Sequence, residues 1–164
     1  MASKNATRKS AYWLIKSEPD VFSIEALLRA GHTSWEGVRN YQARNHLRAM
    51  QLGDLVLYYH SNADPPGVAG VARVCREAYP DPTQFDPKSD YHDANSPRDD
   101  PRWSTVDVEF VEQLPSFVAL DALKADTELD GMLVCKRGMR LSVQPVELPH
   151  FKRVLRLGKS KLKL

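Results

Sequence analysis

The chain has 164 residues, 42% hydrophobic and 27% charged, which is ordinary for one globular domain that buries about two thirds of its unfolded surface. No apolar run approaches the length of a membrane span and residues 1–9 lack the apolar segment of a secretory signal, so we expect a cytosolic protein, or a nuclear one in a eukaryote, with no membrane partner. Cys75 and Cys135 are too few for a disulfide framework or a cysteine zinc site, and free buried thiols are expected.

A formal net charge of +2 hides an uneven distribution of charge. Ten acidic residues stand against three basic ones between Glu77 and Glu112, so this segment carries −7 and the rest of the chain +9. A basic remainder of this size suits nucleic acid as a partner. Part of that excess lies near the two ends, at residues 4–9 and 159–163, where basic residues often serve solubility alone.

The first elements along the chain are a strand and a helix. Residues 1–10 are expected to form a flexible tail, and Tyr12–Ile15 is a short apolar run typical of a strand that ends before Pro19. The helix that follows is indicated by an N-cap at Ser23, inward-facing Ile24, Leu27 and Leu28, and a C-terminal cap at Gly31.

The stretch Trp35–Asn45 concentrates side chains that suit a ligand. Trp35–Arg39 is predicted to be a loop because Gly37 relaxes the backbone, and Asn40 is predicted to cap a helix that runs to Met50 with one apolar stripe. A loop that enters a helix N-terminus offers free backbone N–H groups, which suit a phosphate or the edge of a base. By composition alone, a core tryptophan beside arginines on a solvated face explains the stretch equally well.

The middle of the chain is predicted to form consecutive strands. Leu55–His60 carries the strongest strand signal, Ser61–Gly67 is a loop, and Val68–Val74 is a second strand whose small residues allow another backbone to approach closely. Because strands follow one another here instead of alternating with helices, a curved sheet or barrel is favoured over a parallel doubly wound sheet.

The segment Tyr79–Arg102 contains five prolines and has no periodicity. A loop of this length is usually a functional lid or disordered. Its aspartates raise the possibility of a divalent metal site, but the spacing of a calcium-binding loop is missing. A solvated acidic loop is therefore favoured, and no metal site and no cofactor are predicted.

The C-terminal third is predicted to hold two strands and three short helices, and no second domain or internal repeat is found. A single domain is therefore expected over residues 11–157, followed by a basic tail over residues 158–164. The elements are a strand at Trp103–Leu114, helices at Leu120–Lys124 and Glu128–Leu133, an edge strand with Pro145 at Met139–Val146, and a helix at Pro149–Leu157.

Motifs of common enzyme classes are missing from the sequence. It has no glycine-rich phosphate loop, no nucleophile elbow and no His-Glu-x-x-His pattern. His60 and Ser61 are the one tempting pair, but adjacent residues on a strand point to opposite faces and are poorly placed to act together as base and nucleophile. A protein without catalytic activity is the favoured interpretation.

Four motifs in order resemble the EVE domain family. They are YWLIKSEP at Tyr12–Pro19, WEGVRN at Trp35–Asn40 followed by Ala43-Arg44-Asn45, YHS at Tyr59–Ser61, and RLSVQP at Arg140–Pro145. The match extends over nearly the whole chain, from about Tyr12 to Leu155. The order and extent of the motifs make the resemblance specific.

The resemblance implies an α+β fold of the PUA-like kind, a curved, mostly antiparallel β-barrel flanked by short helices and related to the YTH and SRA readers of modified bases. Members of the family are regarded as binders of nucleic acid that carries a modified base, 5-methylcytosine derivatives among them, with the base flipped into a pocket. The residues that the resemblance places at this pocket are Lys16, Ser17, Trp35, Val38, Arg39, Asn40, His60, Ser61, Ser142 and Gln144.

The chemistry of these side chains fits such a pocket, and two further residues join them. Trp35 or Tyr59 could provide the aromatic face that a flipped base requires. Ser17, Asn40 and Gln144 can donate or accept at a base edge, whereas Lys16, Arg39 and Arg44 suit phosphate.

The leading hypothesis is therefore a monomeric, non-catalytic module that binds DNA or RNA carrying a modified base. Two alternatives stay open. One is an RNA-binding domain that ignores modification, and the other is a metal-dependent hydrolase that uses His60 and the acidic loop. The sequence does not distinguish DNA from RNA or one base modification from another.

Overall fold

A computed structural model describes residues 10–164. The predicted flexible tail therefore lies outside the described residues, apart from Ser10. Within residues 10–164 the strands are β1 (Tyr12–Ser17), β2 (His32–Ser34), β3 (Leu55–His60), β4 (Gly67–Pro80), β5 (Ser104–Ala119) and β6 (Val143–Val146). The α-helices are α1 (Pro19–Phe22), α2 (Ile24–Ala30), α3 (Tyr41–Ala49), α4 (Leu120–Ala125) and α5 (Leu148–Leu157).

The strands form one sheet of six strands in the order β2-β5-β4-β3-β1-β6. Every neighbouring pair is antiparallel except β1 and β3, which run parallel. The predicted α+β fold with a mostly antiparallel sheet and short flanking helices is confirmed. The predicted barrel is not closed, because β2 and β6 lie at the two edges of the sheet and do not pair with each other.

The two longest strands, β4 and β5, extend well beyond their predicted ends. Their register shifts at several points, and each shift bends and twists the pair locally. Pro115 lies in one of these shifts, between the pairs Gly70–Gln113 and Val68–Val118, where a missing N–H costs no ladder hydrogen bond. Pro80 still pairs with Ser104 at the end of β4.

The sheet separates two hydrophobic clusters. Val56 and Tyr58 of β3 point into the first cluster, together with residues of α2 and α3. Leu57 of β3 points into the second, together with Phe151 and Val154 of α5. Because side chains alternate along a strand, β3 divides its residues between the two clusters. The first cluster supports the face on which α1, α2 and Trp35 lie.

Two predicted helices form with the expected caps. Ser23 Oγ accepts a hydrogen bond from the Ala26 amide at 3.1 Å, and Asn40 Oδ1 accepts one from the Ala43 amide at 2.9 Å. The prediction that Leu28 faces inward is wrong, since its side chain is half exposed while Ile24 and Leu27 are buried. Helix α1 has four residues and strand β2 has three, and neither was predicted because neither is long enough to show a period.

The segment between β4 and β5 is more ordered than a solvated loop. Gln84 is fully buried, and its side-chain amide donates to the Asp81 and Trp103 carbonyls at 2.6 and 2.9 Å. Its Oε1 accepts from Ser96 Oγ at 2.6 Å and from the Trp103 amide at 3.1 Å. The prediction of a solvated loop is wrong for these residues, whereas the acidic side chains of Asp86, Asp90, Asp99 and Asp100 are exposed.

The last elements differ in detail from the prediction. Short 3-10 helices at Thr127–Leu129 and Leu133–Cys135 stand where one helix was predicted, and β6 starts at Val143 instead of Met139. Pro145 lies on an edge strand, as predicted. After α5, the Ser160 hydroxyl and the Lys161 amide donate to Glu112 of β5 at 2.5 and 2.9 Å.

Cys75 and Cys135 are free thiols, and both are half-buried. Among the described helices, none combines the length and the apolar character that crossing a membrane requires.

Candidate functional site

A cavity of about 780 Å³ opens beside the C-terminal end of β1. Helix α1, strand β2, the loop Trp35–Arg39 and the segment 139–142 surround it. Seven of the twelve residues predicted for a binding site line this cavity, and they are Lys16, Ser17, Trp35, Val38, Arg39, Ser61 and Ser142.

Hydrogen bonds fix the backbone of Trp35, and a ring contact fixes its side chain. Its backbone amide donates to Thr105 Oγ1 at 2.9 Å and to the Val106 carbonyl at 2.8 Å. Its ring meets Tyr58 edge to face, with 5.6 Å between centroids. The indole is partly buried, packs against the first hydrophobic cluster and still lines the cavity. It is therefore a fixed aromatic surface at the cavity wall.

The end of β1 contributes Lys16 and Ser17. Burial lowers the pKa of Lys16, whose Nζ donates to the Met139 carbonyl at 3.3 Å. Ser17 Oγ donates to the Phe22 carbonyl at 2.6 Å, a carbonyl that the Tyr58 hydroxyl also reaches at 2.6 Å. Burial raises the pKa of Tyr58 to about 12, so the phenol stays a donor. These contacts fix α1 against the cavity.

Arg39 is bound internally rather than presented to solvent. Its Nη1 lies 3.0 Å from Oδ2 of Asp81, whose side chain is 0% exposed. Its Nη2 donates to Thr83 Oγ1 at 2.9 Å and to the Tyr91 carbonyl at 2.7 Å. The predicted role of Arg39 as a phosphate ligand does not fit these contacts, because Asp81 already balances the charge of the guanidinium group.

Tyr91 lines the cavity from the acidic segment Tyr79–Arg102 and was not among the predicted site residues. Its ring covers Gly37, where an added Cβ would lie 2.7 Å from the ring, and the Arg39 guanidinium carbon lies 5.6 Å from its centroid. Tyr91 therefore gives the cavity a second aromatic wall. No sequence signal pointed to it, because the segment lacks periodicity.

Five predicted site residues lie outside the cavity. Arg44 donates to the Arg102 carbonyl at 3.0 Å and to Asn45 Oδ1, and its phosphate role stays a prediction. Of the other four, Asn40 caps α3 and Tyr59 is buried in the second hydrophobic cluster. The Nε2 atom of His60 accepts a hydrogen bond from the Ile24 amide, and the buried side-chain amide of Gln144 donates to the Leu141 carbonyl.

Several lining residues belong to the matched motifs without having been predicted as site residues. Glu18, Glu36 and Arg140 are the charged ones among them. Glu18 accepts from Asn62 Nδ2 at 3.0 Å, and Glu36 accepts from Ser34 Oγ at 3.0 Å. The cavity lining thus includes carboxylates, hydroxyl groups and two aromatic walls.

His60 has no free lone pair on Nε2, because that atom accepts from the Ile24 amide at 3.1 Å. Burial lowers the pKa of His60, and the charge of Glu25 partly opposes this shift. Within residues 10–164 no three His, Cys, Asp or Glu side chains come together as a candidate metal site.

Comparison with known proteins assigns the fold and the family. The EVE domain model matches residues 11–157. Thymocyte nuclear protein 1 of Homo sapiens is 43% identical over 95% of this chain and 78% of its own length. A crystal structure from Pseudomonas putida is 51% identical, with a TM-score of 0.88 over 90% of this chain and 99% of that one.

The similar structures include one with nucleic acid. Human THYN1 protein in complex with 5-methylcytosine containing DNA is 42% identical, with a TM-score of 0.87 over 93% of this chain and 100% of that one. The YTH domain of Zygosaccharomyces rouxii MRB1, at 13% identity and a TM-score of 0.54 over 94% of this chain and 89% of that one, shows a likeness of fold alone. The chain belongs to the EVE domain family.

Proposed function

We propose that this protein binds nucleic acid and reads a modified base, of the 5-methylcytosine type, that is flipped into the cavity beside β1. The main support is the cavity itself, in which two aromatic side chains, Trp35 and Tyr91, stand among hydrogen-bonding groups. The similar structure of human THYN1 protein is a complex with DNA containing 5-methylcytosine, which makes this base the first candidate.

The cavity has the size and the chemistry that a flipped base requires. Its volume of about 780 Å³ lies within the range of about 300–1,000 Å³ that is typical of small-molecule sites. An aromatic face replaces lost base stacking, a contribution of roughly 1–3 kcal/mol per base. Trp35 is the rigid candidate for this face because protein contacts hold both its backbone and its ring.

The charged and polar groups of the cavity match the edge of a cytosine. A cytosine presents its N4 amino group as a donor, for which a carboxylate is a suitable acceptor. Glu18 and Glu36 supply carboxylates at the wall, and the half-buried hydroxyl groups of Ser61 and Ser142 make no hydrogen bond to residues 10–164. These hydroxyl groups can therefore donate to O2 or N3 of the base.

The selectivity for 5-methylcytosine over cytosine that a methyl group alone can provide is limited. One methyl group in a close-fitting pocket contributes only about 1–3 kcal/mol, or roughly 10-fold to 200-fold in affinity. A polar modification can be selected more strongly, because an unmodified base leaves its partners unpaired. We therefore expect moderate discrimination of 5-methylcytosine and place no enzymatic step at the site.

The alternatives from the sequence are less well supported. A metal-dependent hydrolase requires His60 as a base or ligand, yet Nε2 of His60 already accepts a backbone hydrogen bond. An RNA-binding domain that ignores modification does not require a cavity with two aromatic walls beside β1. The monomeric state and a cytosolic or nuclear location stay predictions, and the human relative is by name a nuclear protein.

Binding titrations test the proposal. Short single-stranded and double-stranded DNA and RNA, each with cytosine, 5-methylcytosine, 5-hydroxymethylcytosine or 6-methyladenine, are titrated at physiological salt. We expect one modified base to be preferred by about tenfold or more, and Trp35→Ala to abolish the preference. Equal affinity for all oligonucleotides, or none, would overturn the proposal.

A control variant distinguishes binding lost through the cavity from binding lost because the protein unfolds. Trp103→Phe changes a tryptophan that is buried outside the cavity, where its indole Nε1 donates to Asp93 at 2.8 Å. This variant loses stability but keeps the preference for the modified base. Thermal unfolding of both variants identifies any loss of binding that only reflects unfolding.

A further inference from the structure

We infer that the segment Lys136–Arg140 is the phosphate-binding side of the cavity, with Lys136, Arg137 and Arg140 contacting the backbone of the nucleic acid whose base enters it. This inference rests on the proposed function and deepens it. It moves the phosphate contacts away from the arginines that the sequence indicated, Arg39 and Arg44.

The segment lies at the cavity and is fixed there. Arg140 and its neighbour Met139 line the cavity, and the Met139 carbonyl accepts from Lys16 Nζ at 3.3 Å. The Met139 amide donates to the Lys136 carbonyl at 3.1 Å and closes a turn, in which Gly138 has a φ of +75°. This turn carries all three cations, with Arg140 at the cavity itself and with Lys136 and Arg137 at a neighbouring cavity.

The three cations are available for a ligand. Lys136, Arg137 and Arg140 are exposed, and their side chains form no ion pair or hydrogen bond with residues 10–164. Asp130 lines a neighbouring cavity together with Lys136 and Arg137, but it forms no ion pair with either. By comparison, the guanidinium group of Arg48, like those of Arg39 and Arg44, donates hydrogen bonds to acceptors within the protein.

The acidic segment between β4 and β5 meets the cavity through Tyr91, whereas the carboxylates that line the cavity itself are Glu18 and Glu36. Tyr91 reaches the cavity beside Gly37 and Arg39, and it belongs to the segment with exposed Asp86, Asp90, Asp99 and Asp100. Phosphates would be repelled there and attracted along Lys136–Arg140, where exposed cations are unpaired. The charges therefore favour one path for the backbone, past Lys16 and Ser142 and away from Tyr91.

Phosphate contacts have a signature that differs from base contacts. Each phosphate neutralised on a single strand contributes about 0.7 to the slope of log affinity against log salt concentration. Such contacts strengthen binding to modified and unmodified strands alike, because they carry no information about the base. The inference therefore predicts a change of salt dependence without a change of base preference.

The test compares two triple variants of the full chain that remove the same charge. The first is Lys136→Gln/Arg137→Gln/Arg140→Gln. The control is Arg29→Gln/Lys152→Gln/Lys163→Gln, which removes three exposed cations that line none of the cavities described. Both are titrated with a short single strand containing one 5-methylcytosine, and with its unmodified counterpart, from about 50 to 200 mM salt.

We expect the first variant to lower the salt slope by about two and the affinity by roughly tenfold or more, while the ratio of methylated to unmodified binding stays at the parent value. The control should keep most of the parent slope. Equal slopes in the two variants, in a parent that prefers the methylated strand, would overturn this inference and leave the proposed function standing. A parent without any preference for a modified strand would overturn the proposed function first.

Discussion

Arg39, which lines the cavity, forms an ion pair with Asp81, with 3.0 Å between Nη1 and Oδ2. Asp81 is fully buried and also accepts from the Gly37 amide at 2.8 Å and from the Thr83 amide at 2.8 Å. One carboxylate thus joins the Trp35–Arg39 loop to the start of the acidic segment. Burial alone would raise the pKa of Asp81, but hydrogen bonds from Thr83, Gly37 and Arg39 outweigh it and hold the pKa below its ordinary value.

Asp81→Asn should destabilise the protein strongly. The substitution leaves the Arg39 guanidinium without its counter-charge and replaces one acceptor oxygen by a donor. Loss of one partner from a buried, hydrogen-bonded charge pair costs about 2–4 kcal/mol. Chemical denaturation of the parent and the variant measures the difference in the free energy of unfolding.

Glu109→Gln is the matched control for Asp81→Asn. Glu109 pairs with Arg73 at 3.3 Å, and both side chains are about 40% exposed. An exposed pair of this kind contributes only about 0–1 kcal/mol. If Asp81→Asn cost no more than Glu109→Gln, the buried ion pair would not be the connection that holds the loop.

Gly37→Ala should disturb the cavity more than the same change at Gly53. Both glycines have positive φ, +88° and +87°, so alanine meets the same backbone penalty at each position, roughly 1–2 kcal/mol. Only at Gly37 does the added Cβ clash, at 2.7 Å from the Tyr91 ring, whereas nothing lies within 4 Å at Gly53. We expect equal or greater destabilisation in Gly37→Ala and weaker oligonucleotide binding in that variant alone, measured by unfolding and titration. Binding reduced equally by both substitutions would show that Tyr91 does not shape the cavity.

The features of the site that could be predicted from the sequence depend on residues that are close together in the chain. Asn40 was recognisable as a helix cap because the residue that it caps, Ala43, is three positions away. The loop Trp35–Arg39 was likewise recognisable from Gly37 and the helix that follows. The ion pair of Arg39 with Asp81 joins residues 42 positions apart in the chain, and no periodicity encodes such a contact.

Two predicted site residues, Tyr59 and Gln144, belong to strands beside the cavity, but their side chains do not line it. Tyr59 lies in the second hydrophobic cluster. Gln144 is only 1% exposed, and its side-chain amide donates to the Leu141 carbonyl. The motif marks a strand, and only the pairing of that strand decides which side chains face the ligand. Conversely, Tyr91 enters the cavity from a segment whose fold depends on the buried side chain of Gln84.

Tyr91→Ala should weaken binding of a modified oligonucleotide by roughly tenfold or more, because one aromatic wall of the cavity is lost. Stability should change little, since the ring is about half exposed. Tyr91→Phe keeps the ring and should bind almost as the parent does. Tyr41→Ala is the matched control: Tyr41 is equally exposed and stacks on Trp103 at 4.9 Å, outside the cavity. Equal losses in Tyr91→Ala and Tyr41→Ala would assign the effect to a general aromatic surface.

His60 should make the protein less stable as the pH falls below about 6.5. Burial lowers its pKa in the folded state, with Glu25 partly opposing, so the unfolded chain takes up the proton first and is stabilised relative to the folded state. The stability lost in this way accumulates from the ordinary histidine pKa down to the folded pKa and then levels off. Burial lowers the pKa of His46 as well, so both residues contribute with the same sign.

The pH dependence can be assigned by substitution. His60→Gln keeps an acceptor for the Ile24 amide, which the imidazole Nε2 holds at 3.1 Å, but it removes the titrating group. The free energy of unfolding, measured from about pH 7.5 to 5, should fall less steeply in His60→Gln than in the parent, and least in His60→Gln/His46→Gln. An unchanged slope in His60→Gln would show that the folded state accepts a proton at this position as readily as the unfolded chain does. In that case the hydrogen bond to Ile24 would not select the neutral imidazole.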